Sequence, residues 1–310
     1  MSNNKNLNEA KEKKNDEYYT LYEDIEAEMQ HYPGAFEGKI VYCNCDNPEW
    51  SNFWRYFHLN FKDLGLKKLI STHYKRDIED NGHPYKMEYE GGNDSDIAVG
   101  VKTSLTGDGD FASQECIEIL QEADVVVTNP PFSKFRLFID TLINNEMSFF
   151  VIGPKNAITY KNIFPLIKTG HIRIGKTNPK KFLTRQISIE NAGGGIKRFG
   201  NIGWLVSDGI GINVIGRRVT QGRQLELTST YSAERYPRYD NYDAINCDKT
   251  ADIPRDYALK MGVPISFMDK YNSEQFELID CIRPVIDGDS IYQRLIIRNR
   301  KPEQVDTQEQ

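Results

Sequence analysis

Four short apolar runs recur through the first half of the chain, in GKIVYCNCD, KKLISTHY, DVVVTN and MSFFVIG. This recurrence limits the fold more than any other feature, because the sequence between the runs has a different period. SNFWRYFHLNFKDLG, SQECIEILQEA and FRLFIDTLINN space their apolar residues for one face of a helix, the first with Ser51 as N-cap and Gly65 as stop. Strands alternating with helices return to one sheet in the same direction. The expected class is therefore α/β, a mostly parallel sheet with helices on both faces and a ligand crevice beyond the carboxyl ends of the strands. Upstream, DEYYTLYEDIEAEMQHY places Tyr22, Ile25 and Met29 on one helical face, while PYKMEYEGG and SDIAVGVKTSL read as an inserted hairpin. FPLIKTG reads as a short helix, and IGWLVS and GINVIG as later strands.

Residues 1–16 are rich in Asn and Lys and are expected to form a disordered tail. Residues 17–220 hold the alternating pattern. From 221 it weakens into aromatic, turn-rich sequence, YPRYDNYDAINCDKTADIPRDYALKMGVPISFMDKYNSEQF, expected to be a smaller second domain. At 310 residues with 39% hydrophobic content the chain can bury a sizeable core, and no apolar run is long enough to span a bilayer. The first thirty residues contain no apolar signal segment, so a cytoplasmic protein is expected. Five cysteines, with no repeated C-x-x-C and no His cluster, point away from a disulfide framework and from zinc. Cys43 and Cys45 alternate at a strand end, one facing inward and one outward.

The net charge of −6 argues against a polyanionic partner, but its distribution does not. Between 161 and 200, Lys161, Lys168, Arg173, Lys176, Lys180, Lys181, Arg185, Lys197 and Arg198 face one acid, Glu190. Arg217, Arg218, Arg223, Arg235 and Arg238 follow, interleaved toward the end with Tyr231, Tyr236, Tyr239 and Tyr242. A local basic field binds phosphates whatever the global sum, and aromatic neighbours suit stacking on bases. Charge alone fits a solvated loop surface equally well, and tyrosines also simply pack.

The strand DVVVT runs into Asn129-Pro130-Pro131-Phe132, which continues neither strand nor helix. Pro131 holds Pro130 extended, so the Pro130 carbonyl is expected to face the cleft beside the Asn129 side-chain oxygen. Two fixed acceptors can take both hydrogens of one –NH₂ group, and Phe132, expected as an exposed ring, offers a flat face to the base carrying that amine. Drawing both N–H bonds toward acceptors localises the nitrogen lone pair and makes a poor nucleophile competent without a covalent intermediate. An amine inside a duplex is out of reach, so its base must be flipped out. A bare N-P-P-F is more often a plain turn. Its position after a buried strand in a strand–helix series favours the chemical role. The motif is shared by methyltransferases acting on DNA adenine, RNA adenine and protein glutamine.

DEYYTLYEDIEAEM, VYCNCDNPEWSNFWRYF, LGLKKLISTHY, GDGDF, TNPPFSKFRLFI and MGVPISFMDKYNSEQFELI together resemble the EcoRI-type adenine-specific DNA methyltransferases over most of the chain. The resemblance implies a Rossmann-like methyltransferase sheet, S-adenosyl-L-methionine as cofactor, double-stranded DNA as substrate and target recognition within 221–310. Asn129, Pro130, Pro131 and Phe132 would be the catalytic motif, with Asn129 also beside the cofactor. Asp110, followed by Phe111, would accept from the adenine amine of the cofactor; GDGDF away from that context is an ordinary turn. Tyr19 and Thr20 would wrap the methionine end, with an N-cap role for Thr20 as the plain alternative. Cys43, Asn44 and Asp46 would belong to the cofactor loop.

Two departures stand out. Asn44, Cys45, Asp46 and Asn47 occupy positions where this kind of loop has glycines, so the side chains of Asn44 or Asp46 are expected to touch the cofactor. KKLISTHY also ends without a ribose-binding carboxylate, leaving Thr72 or a hairpin residue to substitute. The DNA-contacting set is Lys180, Lys181, Arg185, Lys197, Arg198, Arg217, Arg218 and Arg223.

The expected activity is site-specific N6 methylation of a flipped adenine in duplex DNA. The expected setting is a cytoplasmic monomer with no metal and no membrane, and with room for a cognate restriction endonuclease outside any physical complex. An RNA adenine methyltransferase is the near alternative, and the basic stretch counts against a protein-glutamine enzyme. A non-catalytic DNA-binding partner with a decayed site is the alternative of another class, opposed by the intact N-P-P-F and GDGDF.

Overall fold

The apolar runs of the first half lie side by side as strands. The computed structural model describes residues 18–74, 83–92, 95–184, 195–207 and 223–304. The chain divides into two units, Met1–Ala157 with His171–Val219, and Ile158–Gly170 with Thr220–Gln310. The first contains β1 (Tyr18–Thr20), α1 (Tyr22–Met29), β2 (Ile40–Cys43), α2 (Asn52–Leu59), β3 (Lys68–His73), β4 (Tyr85–Tyr89), β5 (Val101–Ser104), α3 (Gln114–Glu122), β6 (Val125–Thr128), α4 (Phe135–Asn144), β7 (Ser148–Pro154), β8 (Ile172–Ile174), β9 (Lys181–Thr184), β10 (Ile196–Arg198) and β11 (Ile202–Ser207).

Eight of these strands form one sheet in the order β5-β4-β3-β2-β6-β7-β11-β8. β3, β2, β6 and β7 run parallel. β4 and β5 extend one edge as the expected hairpin, and β11 pairs antiparallel with both β7 and β8 at the other. The sheet is therefore mixed rather than mostly parallel, because a hairpin adds strands without a crossover helix. β6 and β7 are buried throughout, and β2 and β3 from their second residue onward, which is why their sequences read as unbroken apolar runs. Asp124 fixes the β2–β6 register: its Oδ2 accepts from the Ile40 N–H at 2.8 Å.

Helix starts follow the caps. Ser51 Oγ accepts from the Phe53 N–H at 3.1 Å and Ser113 Oγ from the Cys116 N–H at 3.3 Å. α2 ends at Leu59, short of Gly65, where the Asn60 side chain donates to the Tyr56 carbonyl at 2.8 Å. α1 starts after Leu21, which supplies no side-chain cap. Thr20 is thus not an N-cap but the last residue of β1, which pairs antiparallel with β9. β9 pairs in turn with β10, making a separate three-stranded sheet.

The second unit contains α5 (Phe164–Lys168), β12 (Ile245–Asn246), β13 (Met261–Pro264), β14 (Phe276–Ile282), β15 (Val285–Ile286), β16 (Asp289–Ser290) and β17 (Arg294–Asn299). Its sheet has the order β12-β13-β17-β14, with β15 and β16 as a separate pair. Tyr236 and Tyr239 are buried here. Their hydroxyls donate to the Asp252 carbonyl at 2.7 Å and to Asn246 Oδ1 at 2.8 Å. Tyr231 packs on Tyr236 and Tyr257 at ring-centre distances of 5.9 and 4.5 Å. Arg235 pairs with Asp252 at 3.4 Å, and Arg238 with Asp243. Tyr236 and Tyr239 therefore pack the unit's interior instead of standing free among the arginines. GINVIG lies outside the described residues.

Candidate active site

The chain leaves β2 through α2 toward β3 on one side, and leaves β6 through α4 toward β7 on the other. The carboxyl ends of adjacent β2 and β6 thus flank the point where strand order reverses, the position at which such sheets bind ligands. Two loops meet there, residues 44–51 after β2 and residues 129–134 after β6.

Asn129 is held from two directions. Its side-chain Nδ2 donates to the Tyr18 carbonyl, and its backbone N–H donates to the Asp46 carboxylate. Its Oδ1 is buried and has no hydrogen-bond partner among the described residues. Phe132 follows at the start of a short 3-10 turn that leads into α4. It is not the exposed ring the sequence suggested: it is 6% exposed. Tyr18, Phe199 and Phe182 surround it at centroid distances of 6.0, 6.1 and 6.3 Å. The reason is the β1-β9-β10 sheet, which brings those three rings onto the loop after β6. Behind the loop, α4 packs closely on β7, since a Cβ at Gly153 would lie 2.0 Å from the Phe135 ring.

At the end of β2, Cys43 is fully buried, burial pushes its thiol up, and its carbonyl accepts from Ser71 Oγ at 3.1 Å. Cys45 is partly exposed. Asn44 is 3% exposed, and its Oδ1 has no partner. Asp46 turns its carboxylate toward the chain: Oδ1 accepts from Ser51 Oγ at 2.7 Å and Oδ2 from Thr128 Oγ1. Burial raises its pKa to about 6 despite these donors. The Thr72 hydroxyl, considered above as a ribose contact, lies 3.2 Å from the Asn44 carbonyl and 3.1 Å from the Tyr42 hydroxyl. Glu49, which the sequence did not single out, meets the hairpin here. Its Oε1 accepts from the Tyr85 hydroxyl at 3.0 Å and lies 3.4 Å from Lys102 Nζ. Asn47 Nδ2 and His73 Nδ1, 2.7 Å apart, tie the same loop to the end of β3.

GDGDF lies against that strand end. Gly109 has φ +80°, and a Cβ there would sit 2.5 Å from the His73 carbonyl oxygen, so only glycine lets the turn approach so closely. Asp110 Oδ1 accepts from the Ala112 N–H at 2.9 Å, while Oδ2 pairs with Lys134 Nζ at 2.6 Å. The hydrogen bond that Lys134 donates to Asp110 raises the Lys134 pKa. Phe111 is buried edge-on against Phe138 at 5.1 Å. On β1, Tyr19 pairs with Leu183, and Thr20 carries a buried hydroxyl without a partner. Trp50 Nε1 is likewise buried and unpartnered. Buried polar atoms are normally paired. Among the described residues Thr20, Asn44, Trp50 and Asn129 leave two acceptors, a hydroxyl and an indole N–H without partners on or beside these loops, donor and acceptor types that a group with amino, carboxylate and nucleoside parts would use.

Four of the expected DNA contacts lie on or beside one strand pair. Lys181 faces Arg198 across β9 and β10, and Lys180 and Lys197 are exposed beside them. Lys197 Nζ lies 5.6 Å from the centre of the Tyr18 ring. The same pair carries Phe182 and leads into Phe199, so these cations belong to the sheet that covers Phe132. Arg223 is exposed in the second unit. Arg185, Arg217 and Arg218 lie outside the described residues. Among the described residues no helix is long and apolar enough to cross a membrane, and no group of three or more His, Cys, Asp or Glu could hold a metal ion.

A family model described as adenine-specific methyltransferase EcoRI matches residues 6–310. The chain is 42% identical over 328 residues to the Type II methyltransferase M.EcoRI of Escherichia coli, covering 96% of this chain and 97% of that relative. It is 36% identical over 290 residues to the Type II methyltransferase M.MpnI of Mycoplasma pneumoniae, covering 89% of this chain and 85% of the relative. No solved structure matches it.

Proposed function

This chain belongs to the EcoRI family of adenine-specific methyltransferases, and from that membership we propose how its residues carry the reaction. It is a site-specific DNA methyltransferase that acts on adenine. The observation supporting our assignment of roles is the buried, unpartnered Oδ1 of Asn129. With its nitrogen bound to the Tyr18 carbonyl, the amide turns its oxygen, and not a donor, to the incoming base. Asn129 Oδ1 and the Pro130 carbonyl accept the two hydrogens of the adenine N6 amine. That draws the lone pair out of the ring and makes the nitrogen nucleophilic. Phe132 stacks on the flipped base, replacing stacking lost from the duplex. Because Tyr18 and Phe199 lie against that ring, the base enters as this cover shifts.

S-adenosyl-L-methionine is the donor we assign, supplying an electrophilic methyl group. Thr20 and Asn44 would hold its amino-acid end, supported by their unpartnered polar atoms, and Asp110 its adenine amine. Tyr19 and Phe111 would line the site. Lys180, Lys181, Lys197 and Arg198 hold phosphates beside the target base, and Arg223 holds phosphates from the second unit. We read the eight-stranded sheet as Rossmann-like and the second unit as the target-recognition region. Supplying unmethylated duplex DNA and tritiated-methyl donor tests the whole assignment. Label recovered as N6-methyladenine is expected. Label in RNA at a higher rate than in duplex DNA, or no label in either, would overturn it.

A further inference from the structure

The Asp46 carboxylate binds more of the site than any reacting group does, yet the reaction has no use for it. It is 5% exposed, and three donors converge on it: Ser51 Oγ, Thr128 Oγ1 and the Asn129 backbone N–H. Two belong to different loops. Ser51 caps α2 at the end of the loop after β2, while Thr128 ends β6 and Asn129 begins the loop after it. Its backbone carbonyl also accepts from Ser71 on β3. The side chain therefore ties the cofactor loop to the catalytic loop, and the backbone of the same residue ties both to the neighbouring strand.

Burial works against charge at this position and raises the pKa to about 6. An apolar residue of similar size would fill the space without that cost. What only an acceptor can do here is orient the donors. The bond to the Asn129 N–H fixes the peptide plane joining residues 128 and 129, and the bond to Thr128 Oγ1 fixes the neighbouring side chain. With Asn129 Nδ2 anchored on the Tyr18 carbonyl, the residue is held at two points and its Oδ1 keeps one direction.

We infer that Asp46 is a positioning residue, which sets the direction of the Asn129 acceptor and links it to the loop after β2, rather than a contact to the cofactor. The inference rests on the role given to Asn129 above. A displacement of residues 44–51, where the methyl donor is assigned, reaches Asn129 through these bonds.

The test uses the full chain with three substitutions, measuring single-turnover methyl transfer to duplex DNA together with the Kd for DNA and for S-adenosylmethionine. Thr128→Val keeps shape and removes one donor, and is expected to slow transfer by about tenfold or more while both Kd values stay within about threefold. Thr128→Ser, which restores the hydroxyl, is expected to recover the rate to within about threefold of the unmodified chain. Asp46→Asn should slow transfer like the valine variant without lowering Tm at pH 8, and it keeps the inference testable should the valine variant fail to fold. Transfer by the unmodified chain with valine and asparagine variants equally fast overturns the positioning role alone. So does a serine variant as slow as the valine one, or rates that fall in step with Kd. No transfer by the unmodified chain overturns both the role of Asn129 and this inference.

Discussion

Asn129 donates its side-chain amide to the backbone carbonyl of Tyr18, 111 positions earlier in the chain. The bond decides which end of the amide is left without a partner among the described residues. An asparagine there could present either donor or acceptor, and only the acceptor suits an amine. Sequence identity alone does not choose between them.

Asn129→Ala should therefore remove chemistry and leave recognition. Turnover is expected to fall by roughly 10²–10³-fold, the loss typical of one preorganised electrostatic contact. The Kd for duplex DNA, measured by fluorescence anisotropy, should change by less than about threefold. A parallel loss of binding would make Asn129 a structural residue.

Phe132→Ala should act on stability as well as on the flipped base, because the ring lies inside an aromatic cluster. Truncating a buried Phe costs about 3–5 kcal/mol. Urea unfolding measures this directly, and 2-aminopurine at the target position reports the weakened flipped state. A variant as stable as the parent would contradict the packing of Tyr18, Phe182 and Phe199 around it.

Lys181 and Arg198 face each other across β9 and β10. If both hold phosphates, replacing each with Ala lowers the slope of log K against log salt by about 1, and the double variant by about 2. A series of anisotropy titrations in increasing KCl reads this slope. An unchanged slope would remove the pair from the DNA interface.

Asp46 gives stability a pH dependence of defined sign. Its carboxyl titrates at 3.8 ordinarily and at about 6 in the folded protein, where burial disfavours the charge. The folded state thus holds this proton more tightly than the unfolded chain. The group's stabilising contribution is complete below pH 3.8 and is lost as pH rises through about 6. The loss is about 3 kcal/mol. The Cys43 and Cys45 thiols that interact with it are both pushed upward, and they titrate outside this window. Subtracting the unfolding free energy of Asp46→Asn from that of the parent should give a difference that falls by about that amount between roughly pH 4 and 7. A flat difference would contradict the raised pKa.

Among the described residues Glu28 is the other buried carboxylate, and its bonds are structural. It accepts from the Tyr32 hydroxyl at 2.6 Å, the Lys176 N–H at 2.8 Å, and the N–H and hydroxyl of Thr177 at 2.6 Å each. These bonds fasten α1 to the segment after β8. Glu28→Ala orphans several buried donors at about 1 kcal/mol or more apiece, so a loss on the order of 3 kcal/mol or more is expected in urea unfolding. Loss of activity without loss of stability would place Glu28 in the site instead.

Much of this was legible in the residues because the signals were local. Ser51 reads as a cap and acts as one, and the apolar runs form the four parallel strands. The N-P-P-F turn follows a buried strand, as its position implied. What escaped depends on partners distant in sequence. Asp46 was read as a cofactor contact because it stands where glycines are usual. Its carboxylate also accepts from Thr128, 82 positions away, brought close by the β2–β6 pairing. Phe132 looked exposed because its cover arrives from three separate segments. Tyr236 was ambiguous in principle, since a tyrosine serves a core and a stacking platform equally well. The basic stretch gave charge without geometry. Only strand pairing shows that Lys181 and Arg198 stand opposite each other, while Arg185, Arg217 and Arg218 fall outside the described residues.

The three-stranded sheet over Phe132 has a consequence for how the enzyme matures. It needs residues 18–20, 181–184 and 196–198 together, whereas β2, β3, β6 and β7 are complete by residue 154. Contacts so far apart in sequence form late in folding. A chain emerging from the ribosome can therefore assemble its parallel core while the aromatic cover of the catalytic loop is still missing. Its Asn129 lacks the sheet that holds the Tyr18 carbonyl in place until the segment through Phe199 has been made. The cover over Phe132 is thus complete only once Phe199 has been added to the chain.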